Sequence, residues 1–346
     1  MKPEEWDTLL SVINGEQLSP LPVGFIIDSP WLPGWLGHTI LDYFGDDDLW
    51  MECNLEAIRT FPEATFLPGF WSEYGMCTEP SAFGCKMIWY EQDLPFAEKV
   101  VEGPEDMANV EKPNVERDGL LPFMLGRLTR KRQQIEDEGH VLKFAVARGP
   151  FNIASFLQGS TEFLMALKMQ PEEAHAMLGV ITDFLVDWLR LQKEAIPTID
   201  GIFLLDDVIG FVGEEDFKEF AKPCLEKAFN AFDAQVGFLH NDSQGTVCAP
   251  HLSEIGVNLF NFSHEHPLTE MRELASDDVT LLGNLPPRDV LGSGTPEDVR
   301  KGVSEMCQDL PELTNLMLSC GGGIPPGVPT ENIRAFIEAS KEIAHT

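Results

Sequence analysis

The sequence predicts an α/β chain folded as a (β/α)8 TIM-type barrel, a single domain with N-terminal embellishments. Two observations predict it. From Lys143 onward, short apolar runs alternate with helical patterns, and five or more such units follow one another with short loops. The runs are apolar throughout, as strands of a parallel sheet covered on both faces require. A chain of 346 residues suits one such barrel. The regular units span about 141–346 and a less regular part about 1–140, with no clean boundary between them.

In order along the chain, "LPVGFIIDSPWLPGWLG" reads as a first strand and a loop rich in proline and tryptophan. "LWMECNLEAIRTF" reads as a helix, and residues 91–118, acidic and proline-containing, as an excursion over the surface. "LKFAVARG" is a strand closing on Gly149 and Pro150. A long amphipathic segment follows, from "EFLMALKM" to "LRLQKEA". Pro171, Glu172 and Glu173 mark the first turn of a helix, because proline fits the first position and acids suit the positive dipole end. Strand "GIFLLDD" precedes helix "EEDFKEFAKPCLEKAFNAF", and strand "QVGFLHND" precedes the helical "APHLSEIG". "VNLFNFSHEH" leads to "LTEMRELA", "VTLLGNL" to "TPEDVRKGVSEMCQDL", and "TNLMLSCGGG" to "TENIRAFIEASKEI". No dinucleotide fingerprint or phosphate loop is present, since "GSGTPEDV" follows a turn rather than a strand end.

The net charge of −33, with a pI near 4.4, repels phosphate backbones and anionic lipid, so neither nucleic acid nor a membrane is an expected partner. The start "MKPEEWDTLL" has no signal-peptide apolar core, and no segment reaches transmembrane length. Seven scattered cysteines without a CxxC pair suit a reducing cytoplasm. A homo-oligomer is neither required nor excluded.

Barrel enzymes carry their sites at the C-terminal ends of the strands. There the runs deliver Asp28, Arg148, Asp206 with Asp207, His240 with Asp242, His264 with Glu265 and His266, Asn284, and Cys320. His240, Asp242 and Cys320 would give zinc one nitrogen, one oxygen and one sulfur, leaving a fourth position open. His264 and Glu265 compete for the third place. The alternative is structural: His240 bonding a carbonyl, Asp242 capping the next helix, Cys320 packing as a small apolar group. Asp206 and Asp207 face opposite ways on a strand; one enters the mouth as base or orienter, or caps a helix. Asp28 either binds substrate polar groups or caps the "SPW" turn. Glu73 and Glu79 sit in an aromatic loop, where Trp71, Tyr74 and Phe83 form either an apolar wall over a site or a core edge. Asn284 and Gly321 are candidates for cofactor contact, the glycines of "SCGGG" letting backbone approach a ligand.

Four segments, in order, resemble the uroporphyrinogen decarboxylase superfamily. They are "VARGPFNIASFLQG" with a G-P-F-T-like turn, "DDVIGFVGEEDFKEFAKPCLEKAF" with F-x-x-F-x-x-P, "GNLPPRDVLGSGTPEDVRKGV" with a GNLDP-like turn, and "LMLSCGGGIPPGVPTENIRAFIEAS". The likeness covers most of the chain after residue 140 and is weaker before it. It implies a (β/α)8 barrel. Its cofactor-free decarboxylases grip an acidic porphyrinogen with arginines after the first strand, and "IIDSPWLPGWLGHT" has none; the histidine of their L-G-H-G-like turn is Cys320 here. Its corrinoid-dependent methyltransferases hold zinc on a His-x-Cys pair after the fifth strand and a Cys after the eighth. His240 and Cys320 match two of these positions, while Asp242 stands at the third. A carboxylate is a harder ligand than a thiolate and suits an oxygen-bearing methyl donor or acceptor.

The resemblance thus implies methyl transfer between a small molecule and a separate corrinoid protein, because the chain lacks a D-x-H-x-x-G cobamide motif. Asp206 or Glu265, with Asp28, would manage protons. A decarboxylase-like lyase acting on a small carboxylic acid, with Asp28 or Asp206 as acid/base, and a non-catalytic binding barrel are the rival expectations.

Overall fold

The computed structural model describes residues 1–310 and 312–343. Eight parallel strands form one sheet: β1 (Val23–Ile26), β2 (Ala64–Leu67), β3 (Phe144–Arg148), β4 (Gly201–Leu205), β5 (Val236–Asn241), β6 (Leu259–Phe262), β7 (Thr280–Leu285) and β8 (Leu316–Cys320). Their hydrogen-bonded order is β2-β1-β8-β7-β6-β5-β4-β3. Every strand therefore lies beside its sequence neighbour, and β1 beside β8, as in a (β/α)8 barrel. Among the described residues no ladder pair joins β2 to β3.

The strands are buried along their whole length, which is why their sequences do not alternate apolar with polar. Alternation shows instead in which core each residue enters. Ile26, Leu67, Phe144, Val146, Phe203, Leu205, Val236, Phe238, Leu259, Leu282 and Met317 form the barrel interior, and all eight strands contribute. The intervening residues, among them Ala145, Ile202, Leu204, Leu239, Phe260, Leu281 and Leu318, pack outward against the helices. Trp6 and Leu9 of helix Pro3–Ile13 join the interior core. The Trp6 ring meets the edge of Phe144 at 5.5 Å, so this helix plugs the N-terminal end.

Helix Pro171–Ala195 begins at Pro171 with Glu172 and Glu173 in its first turn, as the sequence predicts. Its Gln192 is fully buried and clasps β3. Val146 N–H donates to Gln192 Oε1 at 3.0 Å, and Gln192 Nε2 donates to Val146 O at 3.0 Å. A side chain thus satisfies the backbone groups that β2 leaves unpaired.

The barrel starts earlier than the regular pattern does. β1, helix Asp47–Thr60 and β2 all lie in the irregular part; β2, "ATFL", is too short to stand out although Pro62 and Pro68-Gly69 bracket it. The embellishment is the stretch between β2 and β3. It holds a small hairpin of Met87–Ile88 and Phe96–Ala97, short helix Pro104–Ala108 and helix Leu121–Asp137. In "APHLSEIG" the only helical element is a 3-10 turn, Ala249–His251.

Candidate functional site

The period-two alternation decides which rim residues face the mouth. His240 shares its parity with the interior residues Val236 and Phe238, and so points inward. Leu205 is interior, so Asp206 turns outward and Asp207 returns to the mouth. Their ligand atoms meet there. His240 Nε2 lies 3.7 Å from Asp207 Oδ1 and 4.0 Å from Asp242 Oδ2, and all three groups fall within 4.8 Å of one another.

His240 is 6% exposed and is held by Asn261, its register partner on β6. His240 Nδ1 and Asn261 Oδ1 are 2.7 Å apart. Asn261 Nδ2 donates to Leu282 O at 2.7 Å and to Cys320 O at 3.2 Å. Two carbonyls fix the amide orientation, so Asn261 offers its oxygen to the imidazole and His240 Nδ1–H must donate. In the neutral ring this leaves the Nε2 lone pair aimed at the two carboxylates. A metal-binding histidine has this arrangement, its other ring nitrogen donating to a fixed acceptor.

Asp207 is positioned through its backbone. Asn152 Oδ1 accepts from Asp207 N and Val208 N, each at 3.1 Å, and Ser243 Oγ donates to Asp207 O at 2.5 Å. Asp242 N–H donates to Asp207 Oδ1 at 3.1 Å. Desolvation at the rim and the Asp207 carboxylate push the Asp242 carboxyl above its ordinary range, while His240 pulls it back. Gly322 lies under Asp242, where a Cβ would sit 3.2 Å from Asp242 Oδ2, and its φ of +116° favours glycine.

A divalent ion fits these donors. Around zinc at ~2.1 Å, tetrahedral ligand atoms stand ~3.4 Å apart; the His240 gaps of 3.7 and 4.0 Å are near that spacing, and all three ligand atoms lie within 4.8 Å of one another. Two carboxylates and a neutral imidazole balance a 2+ charge.

Several expected site residues are placed differently. Cys320 shares the outward face with Leu285, its register partner. Its thiol donates to Gly322 O at 3.3 Å, and burial raises its pKa to about 12. Asp207 stands in the cluster where Cys320 was expected. Asp206 is fully buried, its oxygens accepting from Phe151 N at 2.9 Å and Asn152 N at 3.0 Å. It caps helix Pro150–Gln158 and cannot reach the mouth as an acid; burial raises its pKa well above the ordinary range. Glu265 and His264 are exposed on the rim, outside the cluster. Asn284 spends its amide on Ser263 O (3.2 Å) and His266 O (2.6 Å). Gly321 N–H donates to Leu285 O at 2.9 Å, and a Cβ would press on the His264 backbone; both residues serve loop packing. Asn261 was not singled out from the sequence, and Asp207 was expected only as one of a strand-end pair that could enter the mouth as base or orienter, not as a metal ligand. Asn261 interrupts the otherwise apolar "LFNF", and Asp207 keeps the parity of Leu205.

The β1–β3 side of the mouth carries a second charged group. Arg148, inward at the end of β3 and buried, places Nη2 2.6 Å from each carboxylate oxygen of Glu73. Its guanidinium lies 5.4 Å from the centre of the Trp71 ring. Asp28 lies within electrostatic reach of Glu73, and Glu79 within reach of both Glu73 and Arg148. Burial raises the pKa of Glu73 well above the ordinary range, Arg148 lowers it and Asp28 raises it further.

The sequence model of the uroporphyrinogen decarboxylase (URO-D) family matches residues 5–343. A methylated-thiol–coenzyme M methyltransferase of Methanosarcina mazei is 26% identical over 293 residues, covering 84% of this chain and 73% of its own. A uroporphyrinogen decarboxylase of Schizosaccharomyces pombe is 27% identical over 276 residues, covering 75% of each chain. A solved methyltransferase from Methanosarcina mazei superposes with a TM-score of 0.81 at 19% identity, covering 96% of this chain and 97% of the other.

Proposed function

The chain belongs to the uroporphyrinogen decarboxylase family, and from that premise we propose that it is a zinc-dependent methyltransferase moving a methyl group between a small molecule and the corrinoid of a separate protein. The observation that carries this reading is the convergence of His240 Nε2 with the Asp207 and Asp242 carboxylates, the imidazole held by Asn261. A metal bound there acts as a Lewis acid on the heteroatom that bears or receives the methyl group. Two carboxylate ligands in place of thiolates favour an oxygen heteroatom.

The residues of the chain supply the rest. Asn261 orients the imidazole, Asn152 and Ser243 set the Asp207 turn, and Ile26, Leu67, Leu205 and Trp71 make an apolar floor that excludes water. Arg148 favours this reading over decarboxylation of an acidic tetrapyrrole: its charge is already balanced by Glu73, whose two carboxylate oxygens lie 2.6 Å from Nη2. The curated relative that acts on methylated thiols supports the methyl-transfer branch.

Elemental analysis of the purified protein tests the reading. About one zinc per chain, lost in His240→Ala and in Asp207→Ala, is expected, followed by methyl exchange with a methylated corrinoid protein. A wild-type protein that takes up no metal when zinc is offered overturns it.

A further inference from the structure

Asp207 belongs to two places. Its carboxylate stands in the cluster with His240 and Asp242, and it also lines a cavity of about 760 Å³. The cavity runs between helix Pro150–Gln158 and the hairpin strand Phe96–Ala97. Small-molecule sites occupy roughly 300–1,000 Å³. Its walls are anchored. Val100 N and Val101 N both donate to Leu157 O at 2.9 Å, tying the chain that leaves the hairpin to the helix. Cys77 Sγ donates to Pro95 O at 3.3 Å, tying the loop after β2 to the same hairpin. These bonds fix both walls within the protein itself.

The polar groups of the lining are already engaged. Asn152 Oδ1 accepts from Asp207 N and Val208 N at 3.1 Å, and its Nδ2 donates to Leu205 O at 3.2 Å. Ser155 Oγ donates to Asn152 O at 2.8 Å. Among the described residues that line the cavity Lys99 is the only cation. It lies 3.8 Å from Glu102 and 3.5 Å from Glu162, while Glu98 lies 3.2 Å from Lys86. A ligand therefore meets the apolar surfaces of Met76, Phe96, Ala97, Phe156 and Val208, with Asp207 among them. Phe96 is 53% exposed, a large apolar side chain that a ligand here would cover. An anion would meet carboxylates and no unpaired cation, which is costly away from water. A cavity of about 150 Å³ holds one benzene ring, so this space takes a ring with substituents.

We propose that this cavity seats the small molecule of the methyl transfer. That molecule is an uncharged methyl ether with an apolar, ring-sized body, or the hydroxyl compound left once the methyl group is gone. The proposal rests on the zinc methyltransferase reading. The body lies between Met76, Phe96, Phe156 and Val208, and the oxygen lies at the Asp207 end, beside the metal cluster. The apolar walls supply the affinity and Asp207 marks the end at which the reacting oxygen must sit. A donor without a body, such as methanol, would leave these side chains uncovered.

Methoxybenzene is the probe, titrated into the full-length protein with and without added zinc, its binding read by ligand-observed NMR. Ser160 lines the cavity and is exposed at the start of helix Ser160–Met169, so Ser160→Trp fills the space without entering the core. Phe96→Ala strips the half-exposed wall. A thermal melt checks that both fold, and both should keep the wild-type zinc content. Each should bind methoxybenzene on the order of tenfold more weakly than wild type, as loss of one large apolar contact implies. Benzenesulfonate, a ring of the same size bearing an anion, should bind wild type on the order of tenfold more weakly than methoxybenzene or worse. Wild-type protein that binds no methoxybenzene, or variants that both bind it as wild type does, overturn the proposal. Benzenesulfonate binding as tightly as methoxybenzene overturns the uncharged class. Protein that takes up no zinc yet binds methoxybenzene, with both variants weakened, sinks the metal reading and leaves the cavity standing.

Discussion

Asn261→Asp separates two duties of one side chain. Asn261 accepts from His240 Nδ1 at 2.7 Å and donates to Leu282 O at 2.7 Å and Cys320 O at 3.2 Å, all in buried surroundings. Aspartate keeps the acceptor for the imidazole but loses both donations and sets a carboxylate against two carbonyls. Each lost hydrogen bond costs ~1 kcal/mol, and a buried acceptor left unpaired costs ~1–3 kcal/mol. Asn261→Asp should therefore lose about 3 kcal/mol of stability, a large part of a fold stabilised by ~5–15 kcal/mol. Its zinc affinity should stay within about tenfold of wild type. Asn261→Ala should lose similar stability and also release the imidazole, weakening zinc ~10–100-fold, as loss of a histidine's outer partner does. Denaturant titration reads the first quantity and chelator competition the second. Long-range ¹H–¹⁵N spectra read the tautomer. A neutral His240 protonated at Nε2 in the wild type would refute the reasoning, as would Asn261→Ala binding zinc as tightly as wild type.

Four further outcomes follow from the geometry. Cys320→Ser should retain zinc, because the thiol faces Gly322 O, whereas Asp242→Ala and Asp207→Ala should each lose it in elemental analysis. Asp206→Ala, which uncaps helix Pro150–Gln158 and strips Phe151 N and Asn152 N of their acceptor, should cost about 3 kcal/mol in denaturant unfolding. Glu73 holds its proton more tightly folded than unfolded; that contribution is fully present below the unfolded carboxylate pKa and is lost as pH rises through the raised folded value. Melting temperatures recorded from acid to alkaline pH should therefore fall less steeply on the alkaline side in Glu73→Gln than in wild type. Glu265→Ala, on the exposed rim, should leave zinc content and methyl exchange unchanged.

The second half of the barrel was legible because each strand there is a run of apolar residues closed by a polar rim, and each helix carries its own punctuation, as Pro171 shows. The first half was less so. Residues 64–67 make a four-residue strand whose burial comes from distant helices, which no local pattern announces. At the site, the pattern found the strand ends but not the facing of their residues. Asp206 and Asp207 differ only in parity, and parity needs a reference point inside the barrel, which Leu205 supplies once the interior is known. Cys320 falls on the outer set for the same reason. Arg148 was legible as a rim residue, but its partner Glu73 lies 75 positions away, a pairing that only the fold creates.

The unladdered joint between β2 and β3 gives the barrel a mechanical asymmetry. Seven junctions are stitched by backbone hydrogen bonds and cannot slide without breaking them. The eighth is held by side chains, with Gln192 clasping β3 from behind. Glu73 stands just past one lip of that joint and Arg148 at the end of the other. The ion pair between them is therefore a latch across the one place where the ring can widen at little backbone cost. A ligand that draws Glu73 away from Arg148 would loosen the ring there, while the wall carrying His240 stays fixed.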